Sequence, residues 1–562
     1  MLILFSSSIV SMSSQSCSIE IILSSIQKNM NKTIISLKVN LAKFWLWIRS
    51  FPLFPLFLSI YCILFFLVHN IAQVDNHAAD RLLLVISVLT LFLLFIMRLV
   101  LRDIQRAGLV VFVFGLIFFS YPHIKIILQE KFPVLVHINI FFPISIILLT
   151  GTFLVAIKAS REKLVALSIY LNVITLILML IQLTSIFVYE YKMAAYWRKT
   201  EAQVTEFSAR VNPGKDSFPD IYFIVLDGYA RADVLQNVLS LDNSSFLDAL
   251  RERQFYVADC SMSNYAQTEQ SFASTLNMMY LDGIINQINA PQMSEGYFAP
   301  YITNNLVRQY FESIGYQTVA FYTGYAWAEW TNATYFLGDP RSSKTTYVKS
   351  LVPFESSFLS HTIFNYMMDD LAYLGIVKPT QVAPLKGIKV DRDIVRYVLD
   401  ELPVVAQLRD PKLVFAHILL PHPPYVFGPD GEEVNFSNDD SNYARHLQGY
   451  RNQVLYANER ILPIIDTILA ESKGNAIIVL EGDHGIISYT DDAEHMKNLS
   501  AYYFPDHDYS KLYPSITPVN SFRVILSEYF GQDYPLLNDQ SYFTAISAEK
   551  TFTLISNPCN GK

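Results

Sequence analysis

The segment EGDHG (residues 481–485) places a carboxylate and an imidazole side by side between two glycines. It directly follows the apolar run 476–480, and a short apolar run bounded by a polar turn is typical of a buried strand. Carboxylates and neutral imidazoles are common ligands of divalent ions such as Zn²⁺ and Mn²⁺. Asp483 and His484 are therefore predicted to bind a metal ion at the end of a core strand.

Polar side chains of related chemistry follow other predicted elements. Asp227 ends the predicted strand IYFIVLD, and His422 comes just after the predicted strand LVFAHIL. Thr268 lies at or just before the first turn of a helix predicted in QTEQSFASTL, where free backbone N–H groups favour an anion. Ligands of parallel sheets gather at the carboxyl ends of the strands, so we expect these residues to meet there.

Each of these residues also has an ordinary structural explanation when it is taken alone. Asp227 can cap the next helix, Thr268 is a common N-cap residue, and the segment PHPP around His422 can be a rigid turn. An Asp-His-Gly triplet occurs by chance in many loops. The convergence of all four elements on one sheet edge favours a site for one divalent metal ion, with Mn, Zn and Mg as the candidates.

The elements that must position this site alternate between strand and helix. Buried strands are predicted at 221–227, 316–323, 413–419 and 476–480. Amphipathic helices are predicted at 244–255, where Ser244 is a candidate cap, and at 304–315 and 450–469. This alternation predicts an α/β domain with a mostly parallel sheet and helices on both faces.

Five apolar runs of spanning length precede this domain, at residues 52–70, 82–101, 108–128, 135–157 and 164–189. Each is long enough to cross a hydrocarbon core of about 30 Å as a helix. Hardly a charge lies inside them, which argues against buried helices of a large soluble core. We therefore predict an N-terminal α-helical membrane domain with five transmembrane helices.

The basic residues between these runs predict an orientation, because short cytoplasmic loops are enriched in Lys and Arg. The connections after the second and fourth runs carry Arg98, Arg102, Arg106, Lys158, Arg161 and Lys163. Lys192, Arg198 and Lys199, just past the fifth run, oppose this orientation. The balance favours a cytoplasmic N-terminus and an α/β domain outside the cytoplasm.

Composition limits the remaining possibilities. The chain has 562 residues and a net charge of −8, which argues against a nucleic-acid partner. The first residues lack the basic start of a secretory signal, and Met30 is an alternative start of the protein. Cys260 and Cys559 both fall outside the membrane, so a bridge is permitted by compartment, but the sequence does not predict one.

The chain resembles the sulfatase-like branch of the alkaline phosphatase superfamily. The segments that carry the resemblance are DIYFIVLDGYARADVL, QTEQSFASTL, FAHILLPHPPYVF and EGDHG, and they cover roughly residues 219 to 530. Five spans followed by an outer domain look like the lipoteichoic acid synthases, with the phosphoethanolamine transferases as more distant relatives. The order of the motifs is specific for the superfamily but does not identify the substrate.

The resemblance implies a role for each candidate residue. It places metal ligands at Asp227, Asp483 and His484, a nucleophile at Thr268 that is also a metal ligand, and a substrate-binding histidine at His422. The chemistry of these residues agrees, because metal coordination can activate a hydroxyl that is a weak nucleophile near neutral pH. Ser271, about one turn further along the helix, is the alternative nucleophile.

Two departures from the family pattern bear on the reaction. Sulfatases need a maturation motif of the form C-x-P-x-R, and Cys260 is instead followed by Ser-Met-Ser-Asn. Sulfatases also usually begin with paired aspartates, whereas Gly228 follows Asp227. Both departures favour phosphoryl chemistry over the hydrolysis of sulfate esters.

These observations lead to one expected function and two alternatives. We expect a multi-pass enzyme of the cell membrane that moves a phosphoglycerol or phosphoethanolamine group from a lipid donor to a glycan or lipid acceptor outside the cytoplasm. The alternatives are a sulfatase or phosphodiesterase that acts on a soluble ester, and a non-catalytic protein of surface assembly. The expected segments are a cytoplasmic N-terminal segment (1–50), five transmembrane helices (51–190), a linker (191–218), a sulfatase-like catalytic domain (219–535) and a C-terminal tail (536–562).

Overall fold

The chain forms two compact units in a computed structural model. The structure describes residues 51–72, 74, 77–131, 141–211, 218–288, 296–338, 353–363, 388–409, 411–434, 443–486, 492–544, 552–557 and 559. Among the described residues, those within 1–68, 76–186 and 351–379 form the membrane unit, and those within 69–75, 187–350 and 380–562 form the α/β unit. The predicted N-terminal segment 1–50, with Cys17 and Met30, lies outside the described residues.

The membrane unit is built from apolar helices that match the five predicted runs. They are α1 (Phe54–Asn70), α2 (Asp80–Leu101), α3 (Ile104–Lys131), α4 (Phe141–Lys158) and α5 (Arg161–Arg210). By length and composition, three described stretches can cross a membrane, Asp80–Leu101, Ile104–Ile124 and Arg161–Arg210. Phe54–Asn70 and Ile144–Lys158 are apolar but shorter, and the first residues of the fourth run lie outside the described residues.

The surface of these helices is suited to a hydrocarbon environment. Leu84, Ile147 and Phe187 are exposed to 66%, 68% and 71%, a pattern that a soluble protein rarely shows over a large continuous area. Backbone polar groups inside a bilayer must be satisfied within the protein, and helices achieve this through their own hydrogen bonds. The N-terminal part of the chain is therefore an α-helical membrane domain.

The α/β unit contains a seven-stranded sheet and a separate two-stranded sheet. The strands are β1 (Asp220–Leu226), β2 (Tyr256–Val257), β3 (Gln317–Phe321), β4 (Tyr335–Leu337), β5 (Lys412–Ile418), β6 (Ala476–Glu481), β7 (Ser500–Tyr503), β8 (Ser541–Phe543) and β9 (Thr553–Ile555). The large sheet has the order β2-β7-β6-β1-β5-β3-β4, and β8 pairs with β9. The five strands from β6 to β4 are parallel to one another. At one edge of the sheet, β7 is antiparallel to β6, and β2 is antiparallel to β7.

Helices connect these strands. They are α6 (Ala232–Leu239), α7 (Ser244–Glu252), α8 (Thr268–Asn277), α9 (Leu281–Ile288), α10 (Ala299–Thr303), α11 (Leu306–Ser313), α12 (Pro353–Ser360), α13 (Ile388–Val405), α14 (Tyr443–Glu471), α15 (Asp492–Met496) and α16 (Ser521–Phe530). Of these, α12 belongs to the membrane unit.

The large sheet is covered on both faces, as the sequence predicts. Side chains of a strand alternate between its two faces, and the residues of β1 do so between two hydrophobic cores. Tyr222 and Ile224 belong to one core, and Ile221 and Phe223 belong to the other. Because both faces are covered, residues that bind a ligand are expected at the ends of the central strands.

The structure differs from the sequence-based expectations outside the sheet. Helix α5 continues to Arg210 through most of the expected linker, because Phe207 packs face to face with Tyr310 at 4.3 Å between ring centroids. The expected tail contains β8 and β9 and is bonded to the unit by a disulfide between Cys260 and Cys559, which the sequence did not predict.

The predicted cap at Ser244 is wrong. Ser244 is the first residue of α7, and its backbone N–H donates to Asp242 Oδ1 at 3.0 Å. The side chain that satisfies the free N–H of this helix therefore lies two residues earlier.

Candidate metal centre

The central strands of the sheet bring three of the predicted ligands together. Asp227 follows β1, and Asp483 and His484 follow β6, which is the direct neighbour of β1. All three residues are buried, and each offers one ligand atom within 4.8 Å of the others. This edge of the sheet can therefore hold a metal ion.

Each of the two carboxylates has one oxygen held by the protein and one left without a hydrogen bond. Asp227 Oδ2 accepts from His417 Nε2 at 3.0 Å, and Asp483 Oδ1 accepts from the Gly228 backbone N–H at 2.8 Å. Asp227 Oδ1 and Asp483 Oδ2 are buried and accept no hydrogen bond from the described residues. Buried carboxylate oxygens without a partner are costly, and a bound cation would satisfy both.

His484 has the tautomer that a metal ligand requires. Its Nδ1 lies 2.8 Å from the Gly485 carbonyl oxygen, which can only accept, so Nδ1 carries the proton and Nε2 keeps a lone pair. This Nε2 atom lies 3.4 Å from Asp483 Oδ2 and 3.9 Å from Asp227 Oδ1.

The Thr268 hydroxyl is a fourth candidate ligand atom beside Asp227, Asp483 and His484. It is the first residue of α8 rather than its cap, since Gln267 occupies the cap position and makes no side-chain cap bond. The Thr268 hydroxyl lies 3.2 Å from His484 Nε2. Ser271, the alternative nucleophile, is buried and donates to the Asp483 carbonyl oxygen at 2.8 Å, so its hydroxyl already has an acceptor.

The spacing of these atoms fits a small divalent ion. A tetrahedral ion with bonds of about 2.0–2.1 Å separates its ligand atoms by roughly 3.3 Å. The separations of 3.2, 3.4 and 3.9 Å around His484 Nε2 lie close to this value. Two carboxylate oxygens, an imidazole nitrogen and a hydroxyl oxygen suit Zn²⁺ or Mn²⁺, so the residues present fit the ion that the sequence implied.

The two glycines of EGDHG are explained by close backbone contacts. A Cβ atom on Gly482 would lie 2.4 Å from the Tyr229 carbonyl oxygen, and one on Gly485 would lie 2.5 Å from the Lys497 carbonyl oxygen. Backbone atoms cannot move aside as the end of a flexible side chain can. Only glycine therefore allows the turn that carries Asp483 and His484 to pack this tightly.

His422 belongs to the loop that follows β5. Its charge is among the influences on Asp227, which places the imidazole within electrostatic range of that carboxylate. Gln453 of α14 is fully buried and donates from Nε2 to the carbonyl oxygens of His422 and Pro421, at 3.0 and 3.2 Å. Its Oε1 atom accepts from the Val426 N–H at 2.8 Å, so one side chain fixes both ends of the loop.

The charged groups of the site shift the pKa values of Asp227 and His484. Burial in itself raises the pKa of Asp227, but the neighbouring imidazoles of His422, His417 and His484 outweigh burial and hold that pKa well below its usual range. Burial lowers the pKa of His484, yet the carboxylates of Asp483 and Asp227 raise it overall. In the metal-free protein, Nε2 of His484 therefore binds a proton up to a higher pH than a free imidazole does.

Glu481 adds no further negative charge at neutral pH. Burial, followed by the charge of Asp483, raises the pKa of Glu481 to about 8. The centre therefore has two carboxylates rather than three, a charge that one divalent ion balances.

Three neighbours of the candidate site were not predicted from the sequence. His417 is buried in β5 and holds Asp227, and Gln453 holds the His422 loop. The rings of His495 and His484 lie 4.9 Å apart between centroids and are tilted at 43°. Burial lowers the pKa of His495 to about 3, so it remains neutral. A polar residue inside the buried run LVFAHIL was the available signal for His417, and no comparable signal pointed to Gln453 or His495.

Comparison with known proteins finds similar structures but no similar sequence of known family. No family model matches the chain, and no curated protein matches it. The C-terminal periplasmic domain of EcEptC from Escherichia coli, solved in complex with Zn, is 12% identical with a TM-score of 0.37, over 62% of this chain and 94% of that one.

Two further similar structures come from other bacteria. The integral membrane protein lipooligosaccharide phosphoethanolamine transferase A from Neisseria meningitidis is 12% identical with a TM-score of 0.34, over 85% of this chain and 95% of that one. A protein in the alkaline phosphatase superfamily from Vibrio parahaemolyticus is 11% identical with a TM-score of 0.36, over 62% of this chain and 81% of that one.

Proposed function

We propose that the protein is a membrane-anchored, metal-dependent enzyme that moves a phospho-alcohol head group, phosphoglycerol or phosphoethanolamine, from a lipid donor. The acceptor would be a glycan or lipid outside the cytoplasm, and the α/β unit would work on the outer side of the cell membrane. One observation supports the proposal most strongly. Asp227, Asp483 and His484 each have one polar atom fixed by the protein and one free atom aimed at a common point, and the Thr268 hydroxyl lies beside that point.

The chemistry expected of a bound divalent ion is a lowered pKa for the Thr268 hydroxyl and compensation of charge on the phosphoryl oxygens. Asp227, Asp483 and His484 would hold that ion. Thr268 also lies at the first residue of α8, where the free N–H groups of the helix favour the negative charge of a phosphate group.

Thr268 Oγ1 would attack the phosphorus of the donor lipid. A new O–P bond forms, the P–O bond to the lipid alcohol breaks, and the hydroxyl proton of Thr268 ends on the departing alcohol. An acceptor hydroxyl then attacks the phospho-threonine, takes the head group and returns a proton to Thr268. His422 would bind the departing or the incoming group, because its loop is fixed by Gln453 at the edge of the site.

The membrane unit supports a lipid donor over a soluble ester. A catalytic unit that continues from a helix of membrane-spanning length stays close to the bilayer, which raises the effective concentration of a lipid substrate. Tethering of this kind offers no advantage to an enzyme that hydrolyses small dissolved esters.

Variants of Thr268 test the proposal with paired aryl phosphodiester and aryl sulfate substrates. Thr268→Ala should abolish turnover, and Thr268→Ser should keep measurable activity because it keeps the attacking oxygen. Thr268→Cys should not create a sulfatase, since Glu269, Gln270 and Ser271 lack the Pro and Arg of the maturation motif.

The matched control is Thr275→Ala, seven residues or about 10 Å further along the same helix. It should leave turnover unchanged. Because Thr268 makes no cap bond, Thr268→Ala should cost less than the roughly 1 kcal/mol of a lost cap and remain folded, as thermal unfolding can check. Turnover of the sulfate ester alone, surviving in Thr268→Ala, would contradict the proposal.

A further inference from the structure

The membrane unit contains a cavity between its first three helices. Its volume is about 240 Å³, and most of its lining is apolar, including Ile86 and Leu93 of α2 and Val111 and Phe118 of α3. Protein interiors normally leave few voids larger than a water molecule. This cavity is larger than such voids and is partly open, so the medium at its opening decides what can enter it.

Water is a poor occupant of this cavity. The polar side chains in its lining are Ser59 and Thr90, whose hydroxyl oxygens lie 3.0 Å apart. Both hydroxyls also have local acceptors, since Ser59 Oγ lies 3.1 Å from the Pro55 carbonyl oxygen and Thr90 Oγ1 lies 2.8 Å from the Ile86 carbonyl oxygen. A buried water needs two to four polar partners, and this lining does not offer them.

The cavity is open to the surface that faces hydrocarbon. Leu89 and Phe114 line it, and yet they are exposed to 54% and 42%. They lie on α2 and α3, two of the helices that are long and apolar enough to cross a membrane. The medium at this opening is therefore the acyl chains of the bilayer rather than water.

We infer that the cavity binds one acyl chain of a membrane phospholipid. Its volume exceeds the ~150 Å³ of an apolar cavity that binds benzene, so a stretch of hydrocarbon chain fits. The chain would enter between Leu89 and Phe114 and make the dispersion contacts that an empty cavity lacks. This inference does not depend on the proposed function of the α/β unit.

Helix α12, which lies far along the sequence, packs near one end of the cavity, at the lining residue Phe119. Phe119 lines the cavity and contacts Phe358 at 6.0 Å between ring centroids, and Phe66 contacts Phe354 at 5.2 Å. An ion pair between Arg81 and the buried Glu355 joins the start of α2 to α12. The polar glycerol end of the lipid would lie at this end, and its acyl chain would extend toward Leu93.

Photolabelling of the full chain in phospholipid vesicles tests this inference. The probe is a phosphatidylcholine with a carbene-generating group in its acyl chain, present in trace amounts, and labelled residues are mapped by peptide mass spectrometry. Exposed Ile147 reports contact with bulk lipid, and fully buried Asn172 reports background. Thr90, which is only 9% exposed, should be labelled at least as strongly as Ile147. Labelling of Thr90 as weak as that of Asn172 would overturn the inference.

Two glycine variants provide a second measurement. Gly115 lines the cavity, whereas a Cβ atom on Gly151 would meet nothing within 4 Å. Gly115→Leu should reduce the Thr90 to Ile147 labelling ratio at least about fivefold, because the leucine side chain fills the volume. Gly151→Leu adds the same side chain to the lipid-facing surface and should leave the ratio unchanged. An unchanged ratio in a folded Gly115→Leu protein would also overturn the inference.

Discussion

His417 shows how one buried residue can decide which atom of another is free. Its Nε2 donates to Asp227 Oδ2, and its Nδ1 has no partner among the described residues. Phe272 packs edge-on against the ring at 4.8 Å and limits its rotation. Asp227 therefore cannot turn easily, and Oδ1 remains directed at Asp483 and His484. Such outer contacts commonly orient metal ligands.

The metal ligands and the substrate histidine should respond differently to alanine. Asp483→Ala or His484→Ala should remove most of the bound divalent ion, because each would lose one of about four ligands. His422→Ala should keep the ion and lose turnover of an aryl phosphodiester. Elemental analysis of the purified protein, together with the assay, measures both effects.

The control for this prediction is His507→Ala, which removes an exposed imidazole. It should change neither metal content nor turnover. If His422→Ala also empties the site, the separate assignment of metal-binding and substrate-binding residues is wrong.

Metal affinity should depend on pH through His484. In the metal-free protein the pKa of His484 is raised by Asp483 and Asp227 against the effect of burial, so the proton and the metal ion compete for Nε2. The competition begins at a higher pH than for a free imidazole, whose pKa is about 6.5. Below the raised pKa, affinity should fall about tenfold for each unit of pH. Calorimetric titration across this range should also detect proton release, and an affinity independent of pH would contradict the assignment.

The candidate ligands could be predicted from the sequence because each follows a recognisable strand or begins a helix. Asp227, Thr268, Asp483 and His484 stand where the local pattern changes from apolar to polar. Which oxygen of a carboxylate is free depends on hydrogen-bond partners that lie far away in the sequence. Gly228, for example, donates to Asp483 Oδ1 from 255 residues away. No local pattern contains that information.

At the scale of elements, the loop after β5 depends on α14 for its shape. Gln453 is the side chain of α14 that makes hydrogen bonds to Pro421, His422 and Val426. Gln453→Leu would leave four backbone groups without this partner, those of Pro421, His422, Val426 and Phe427. We expect turnover to fall at least about tenfold while the metal ion is retained, at a stability cost of about 1–3 kcal/mol.

Gln448→Leu is the matched control on the same helix. Gln448 is exposed and bonds to Asn452 one turn away, so its loss should leave turnover unchanged. Metal content, turnover and thermal unfolding of both variants measure the effect. Wild-type turnover in Gln453→Leu would show that α14 does not position His422.

The elements themselves were predicted more successfully than their ends. Strands β1, β3, β5 and β6 lie within two residues of the predicted ranges, because apolar runs mark them clearly. Helix α14 was also predicted, but it begins at Tyr443, seven residues before its predicted start. The continuation of α5 was missed because residues 191–210 carry many polar side chains. Their helix is stabilised by tertiary contacts such as Phe207 with Tyr310, which helical periodicity alone does not indicate.

At the scale of the whole molecule, the orientation in the membrane can be tested directly. A reporter that is active only outside the cytoplasm should be active when it is fused after residue 200 and silent when it is fused near residue 160. The basic connection between α4 and α5 supports this orientation. The disulfide between Cys260 and Cys559 supports it independently, because disulfides persist in oxidising compartments. The opposite reporter pattern would overturn the orientation and the proposal of an outer acceptor.

The two-part organisation was evident in the sequence, because long apolar runs and strand–helix alternation occupy separate halves of the chain. The disulfide was not, since its cysteines are 299 residues apart and only the folded sheet brings them together. The sequence also did not predict that α12 belongs to the membrane unit. Its eight residues lie inside the sequence of the α/β unit and carry no run of spanning length.

The covalent intermediate on Thr268 is the most direct test of the proposed reaction. The full chain with its metal ion is incubated with vesicles of phosphatidylethanolamine or phosphatidylglycerol without an acceptor, and intact-mass analysis and peptide mapping follow. One head group should be added at Thr268, together with release of one diacylglycerol, and Thr268→Ala should remain unmodified. Release of diacylglycerol by Thr268→Ala at the wild-type rate, with no adduct on Thr268 in the wild type, would contradict the proposal.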